Sequence, residues 1–88
     1  MKVNQEFLLK EIAGSFVVIP VSSVLVDFNG MITLNETGVF LWRLLEEEKT
    51  FEELLEALQK EYDVDEKTAR EDITAFLDQI RAIKALEE

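Results

Sequence analysis

Residues 30–45 read Gly30-Met31-Ile32-Thr33-Leu34-Asn35-Glu36-Thr37-Gly38-Val39-Phe40-Leu41-Trp42-Arg43-Leu44-Leu45, and the hydrophobic period of the chain changes inside this stretch. Before Asn35, Met31–Leu34 reads as extended chain. After it, Val39, Phe40, Leu41, Trp42, Leu44 and Leu45 are apolar almost all the way round, which suits a helix buried on most sides. Asn35 is a good N-cap, and Glu36 places a carboxylate in the first turn, where the helix dipole favours it.

Upstream of this switch the signals are those of strands. Phe7-Leu8-Leu9-Lys10-Glu11-Ile12 and the β-branched, aromatic Phe16-Val17-Val18-Ile19 are separated by Ala13-Gly14-Ser15, a gap short enough to make them an antiparallel hairpin. Pro20 cannot donate to a ladder and ends the second strand or holds it near an edge. Val24-Leu25-Val26-Asp27-Phe28 then meets Asn29-Gly30, a strong short hairpin signal because both residues tolerate positive φ.

Downstream the period is helical. Glu46-Glu47-Glu48-Lys49 is a solvated break, and Thr50-Phe51-Glu52-Glu53 is a capping box. Phe51, Leu54, Leu55, Leu58 and Tyr62 form one amphipathic stripe. Asp63-Val64-Asp65 leads into a third helix, capped by Asp65, with Ala69, Ile73, Phe76, Leu77, Ile80 and Ile83 at 3.6-residue spacing. Strands first and helices after make an α+β domain.

The chain has 88 residues, one domain's worth, and a chain of that length buries about 60–65% of its unfolded surface. It has neither cysteine nor histidine, which excludes disulfides, thiolate chemistry, Cys/His zinc sites and the commonest general base. The start is polar, with no apolar signal region, and no apolar run is long enough to span a bilayer, so a cytoplasmic location is expected. The net charge is −10, and all but one unit of it falls in residues 35–88. Such a surface repels phosphate backbones and anionic lipid, making nucleic acid and membrane poor partners.

No residue set points to catalysis. Glu52/Glu56, Glu71/Asp72 and Glu46–Glu48 fall on solvent faces, where nothing shifts a carboxylate toward acid–base work. Asp63-Val64-Asp65-Glu66 lacks the length and central glycine of an EF-hand loop, so no metal is expected. The three glycines at positions 14, 30 and 38 are isolated, with no phosphate cradle. Six phenylalanines and Trp42 at strand and helix spacing are core, and no cofactor is expected. A winged-helix DNA reader would need a basic third helix, whereas Asp65–Asp72 carries four acids against two cations.

The Gly30–Leu45 stretch resembles the signature of the PqqD family: a strand ending in Leu-Asn-Glu-Thr, then a helix with a Trp before a Leu-Leu pair. The likeness extends to Leu9-Lys10-Glu11-Ile12-Ala13-Gly14, Val17-Val18-Ile19-Pro20, Thr50–Leu54, Glu61–Asp65 and Asp72-Ile73 through Leu77. Members often end near Gly-Leu-Leu, where this chain has Lys84-Ala85-Leu86. Without that glycine the last helix is expected to run on, toward residue 86.

The resemblance implies a three-stranded antiparallel sheet followed by three helices, winged-helix-like. It also implies a peptide chaperone, or recognition element for ribosomally made, modified peptides. Such a domain holds the leader segment of a precursor peptide and presents it to a modifying enzyme, often of the radical-SAM type. The leader adds as a strand beside the third strand and packs on the third helix. The site residues expected on this basis are Met31 and Thr33, with Ile32 and Leu34 through their backbone, and Arg70, Ile73, Leu77 and Ile80 on the helix. Ordinary core is an equal reading for Ile73, Leu77 and Ile80. A monomer or an edge-paired dimer is compatible with the sequence. The alternative is a winged-helix, regulator-like domain acting through protein contacts.

Overall fold

The computed structural model of the chain describes residues 1–21 and 32–88. Its elements in order are β1 (Lys2–Val3), β2 (Phe7–Ile12), β3 (Ser15–Pro20), β4 (Ile32–Leu34), α1 (Glu36–Leu44), α2 (Phe51–Glu61), α3 (Glu66–Ala82) and β5 (Leu86–Glu87). The expected strand at Val24–Phe28 and the Asn29-Gly30 turn lie outside the described residues.

β2, β3 and β4 make one antiparallel sheet in that spatial order. The β2–β3 hairpin closes on two residues, Ala13 and Gly14, both with positive φ (52° and 84°), as a type I′ turn requires. Ile12 therefore faces Ser15, and the register carries through to Phe7 opposite Pro20. β4 pairs with β3 from Phe16–Leu34 to Val18–Ile32. Side chains alternate across a sheet, so Phe7, Val18 and Leu34 turn toward the helices and join the core, while Leu8 and Ile12 stay exposed.

The helices begin where their caps stand. The Asn35 side chain accepts from the Gly38 amide at 2.8 Å. Thr50 and Glu53 exchange the two bonds of a capping box at 3.1 and 2.8 Å. The Thr50 backbone amide donating to Glu53 holds that carboxyl below its ordinary value. Asp65 occupies the N-cap of α3 with extended backbone but makes no side-chain bond to the helix amides. Its carboxyl is lowered first by the Thr68 side chain.

Leu41, Trp42 and Leu45 of the first helical segment, Leu54 and Leu58 of α2, and Ala69, Ile73 and Ile80 of α3 are all at most 1% exposed and meet in one cluster.

The end of α3 departs from expectation. The helix stops at Ala82 despite the missing glycine. Lys84 itself takes the left-handed conformation, φ 63°. The Lys84 amide then donates to the Arg81 carbonyl at 3.0 Å and the Ala85 amide to the Ile80 carbonyl at 2.9 Å, the two bonds of a Schellman turn. Ala85 is fully buried beside Ile80 in the core. The turn directs Leu86–Glu87 into a second, two-stranded sheet with Lys2–Val3. Tertiary pairing and a buried Ala85 thus offset the roughly 1–2 kcal/mol that a non-glycine residue costs in this conformation.

Candidate functional site

Among the described residues β4 lies at one margin of its sheet, bonded to β3 on one side. A margin strand directs every second residue's N–H and C=O outward, where another extended chain can pair with them. Beside this margin is a cleft of about 320 Å³ lined by Thr33, Asn35, Thr37 and Gly38 on one side and Asp72, Ala75, Phe76 and Gln79 on the other. The last four are spaced i, i+3, i+4 and i+7, one face of α3. Gly38 permits the close approach of α1 to β4. A Cβ there would lie 3.2 Å from the Leu34 Cβ.

Thr33 and Leu34 also border a second, larger groove of about 520 Å³, which includes Phe16, Val39, Phe40, Arg43 and Tyr62. Phe40 and Tyr62 meet edge to face with centroids 5.5 Å apart, and the Arg43 guanidinium stands 6.0 Å over the Phe16 ring. Partial desolvation, with Glu36 nearby, pushes the Tyr62 phenol up. The two depressions meet at Thr33, one mostly polar and the other mostly apolar.

The expected site residues fall into three groups. Met31 lies outside the described residues. Thr33 is exposed and lines both depressions, while Ile32 is half-buried and Leu34 is buried. On α3, Ile73, Leu77 and Ile80 are 0%, 4% and 0% exposed, so their side chains are core and support the cleft from behind. Arg70 does not reach the cleft. Its Nε donates to Glu66 at 2.9 Å and its terminal nitrogens to Glu52 at 3.4 and 3.5 Å, with the Phe51 ring 5.7 Å below. The Glu66 bond is the main reason its guanidinium is held above the ordinary value.

The apolar side chains expected to form a wall on α3 are turned inward, and the exposed apolar lining near β4 is the groove around Phe16, Val39 and Phe40. Of the cleft residues of α3, Phe76 belongs to the core stripe, and Asp72, Ala75 and Gln79 are exposed beside it. Helical spacing from Asp72 would have picked out Ala75, Phe76 and Gln79. No local signal showed which flank of the stripe β4 approaches.

A family model described as Coenzyme PQQ synthesis protein D (PqqD) matches residues 22–86. The chain belongs to the PqqD family. The family match begins after β3, so the N-terminal hairpin lies outside it. Structural likeness reaches further for this PqqD-family chain. The solved structure of TbiB1 in complex with the TbiA(beta) leader peptide is similar over 99% of this chain and 95% of that one, with 29% sequence identity and a TM-score of 0.76. No curated protein matches the chain significantly.

Among the described residues no group of three or more acidic side chains is arranged to hold a metal ion. No described helix is long and apolar enough to cross a membrane.

Proposed function

We propose that this PqqD-family chain binds the leader segment of a ribosomally made precursor peptide by strand addition at β4. It then presents the remainder to a modifying enzyme, with a radical-SAM enzyme the first candidate. The observation that carries this reading is the position of β4, the margin strand among the described residues, standing between the α3 cleft and the aromatic groove. The likeness to leader-bound TbiB1 supports it.

Energetics require both flanks. Two to four ladder bonds contribute about 0.5–1.5 kcal/mol each, while association costs about 4–15 kcal/mol. Micromolar affinity corresponds to about −8 kcal/mol in total, so two or three leader side chains must also bury apolar area, at roughly 1.5–3 kcal/mol each. Phe16, Val39 and Phe40 supply that surface, and Thr33 with the α3 cleft fixes the path of the added strand. The chain acts by holding and presenting, with no bond made or broken by its own residues.

A duplex-binding form of the regulator-like alternative gains nothing from α3, whose exposed Glu66, Glu71, Asp72 and Asp78 would face the phosphates. The test is titration of the isotope-labelled chain with the precursor encoded beside its gene. Amide shifts at Ile32–Leu34 and at Asp72–Gln79 are expected. Saturating peptide with those amides unmoved rules strand addition at β4 out.

A further inference from the structure

We infer that the α3 cleft selects a leader carrying a lysine or arginine, and that Asp72 is the residue that selects it. This rests on the strand-addition reading and goes beyond it by naming the side-chain chemistry that the site accepts.

The inference starts from how charge is distributed on α3. Both arginines of the helix are already neutralised. Arg70 is tied to Glu66 and Glu52, and Arg81 to Asp78 at 2.9 Å and Glu88 at 3.0 Å. Asp72 has no ion pair among the described residues. Its helical neighbours three and four positions away are Thr68, Ala69, Ala75 and Phe76, none of them cationic. The cleft wall therefore carries one uncompensated carboxylate, in a chain whose net charge is already −10.

An ionised carboxylate only accepts hydrogen bonds. The other polar groups nearby do not meet that demand from within. Among the described residues no side chain donates to Asp72, neither the Asn35 and Gln79 amides nor the hydroxyls of Thr33 and Thr37 that share its cleft. In the open cleft water solvates Asp72. A strand laid on β4 displaces some of that water, so an apolar side chain over Asp72 leaves the carboxylate underbonded. An acidic one adds repulsion. A lysine or arginine replaces the lost water with charge-assisted bonds. Discrimination thus comes as much from rejecting the wrong residue as from rewarding the right one.

Spacing adds a second feature. Asp72 and Phe76 are separated by about 6 Å of helix rise, and alternate side chains of an extended strand by about 6.7 Å. The basic residue and an apolar partner for the Ala75–Phe76 part of the cleft therefore stand two positions apart in the leader.

The test uses a phage-displayed library of linear twelve-residue peptides panned against the full chain and against Asp72→Asn and Asp72→Lys. Selected peptides are then titrated while the amides of Ile32–Leu34 are followed. The expected result is enrichment of lysine or arginine at one register, with an apolar residue two positions away. Affinity should fall about three- to tenfold with Asp72→Asn and further with Asp72→Lys. Replacing the peptide's basic residue by glutamate should restore binding to Asp72→Lys. Peptides that shift Ile32–Leu34 but show no basic preference, or that bind Asp72→Lys as tightly as the native chain, overturn the selectivity and leave strand addition standing. A library yielding no peptide that moves those amides overturns both.

Discussion

Among the described residues the three-stranded sheet has two margins, and they are not equivalent. β2 is six residues long and β4 three, so hydrogen-bonding capacity alone would favour β2. β2, however, carries Lys10 and Glu11 exposed along its length, the kind of charge that discourages another chain from adding. β4 reads Ile32-Thr33-Leu34, without charge, and stands between a cleft and an apolar groove. A margin becomes a docking strand through what flanks it. Ladder bonds supply direction, and the flanks supply the apolar area and the selectivity.

Ile73 tests this comparison most severely, because it lies behind the cleft beside β4 and is fully buried. Ile73→Ala should cost about 2–4 kcal/mol of stability by urea unfolding, with peptide affinity under native conditions little changed. Intact stability with lost affinity would make it a contact residue instead. Ala75→Met should fill the cleft without disturbing the helix. It should weaken peptide binding about tenfold, near 1.4 kcal/mol, with an unchanged unfolding midpoint by circular dichroism.

Lys84→Gly relieves the left-handed strain at the end of α3 and should stabilise the chain by about 1 kcal/mol. It should leave affinity at either margin alone, as isothermal titration would show. Acid should act through three surface carboxylates that accept hydrogen bonds. Glu53, Asp65 and Glu88 have folded values below their ordinary ones, Glu88 chiefly through its bond to Arg81. Their contribution is complete above the unfolded carboxylate range and is lost as pH falls through the lower folded values. Thermal melts below about pH 4 should show the loss, and Glu53→Gln should reduce that pH dependence. The smallest effect is expected at the other margin. Lys10→Glu should change peptide affinity by less than about twofold, and a larger change would move the docking strand to β2.

Much of this was written locally. Asn35 and the Thr50–Glu53 box start their helices because a side-chain acceptor beside free amides needs no distant partner. The short gap at Ala13-Gly14-Ser15 marks the first hairpin, while the structure takes Ser15 into β3 and leaves a two-residue turn that fixes the register. The stripes of α2 and α3 follow from 3.6-residue spacing. Site residues were harder to read. The apolar residues of α3 were visible, but burial was what made them apolar, and the residues facing β4 are the less conspicuous Asp72, Ala75 and Gln79 beside Phe76. The aromatic groove joins Phe16 of β3 to Phe40 and Tyr62, which lie far apart in sequence.

The sequence by itself determined the first hairpin and the three helices after the strands, the Asn35 and Thr50 caps, the core stripes and the acidic character of the chain, because each depends on neighbours within about one turn or one hairpin. Only the tertiary structure decided which margin acquires flanks, which side of α3 faces β4, and that Lys84 would end the last helix without a glycine. Those outcomes depend on how separate elements pack, and on pairing between the two ends of the chain that no local window contains.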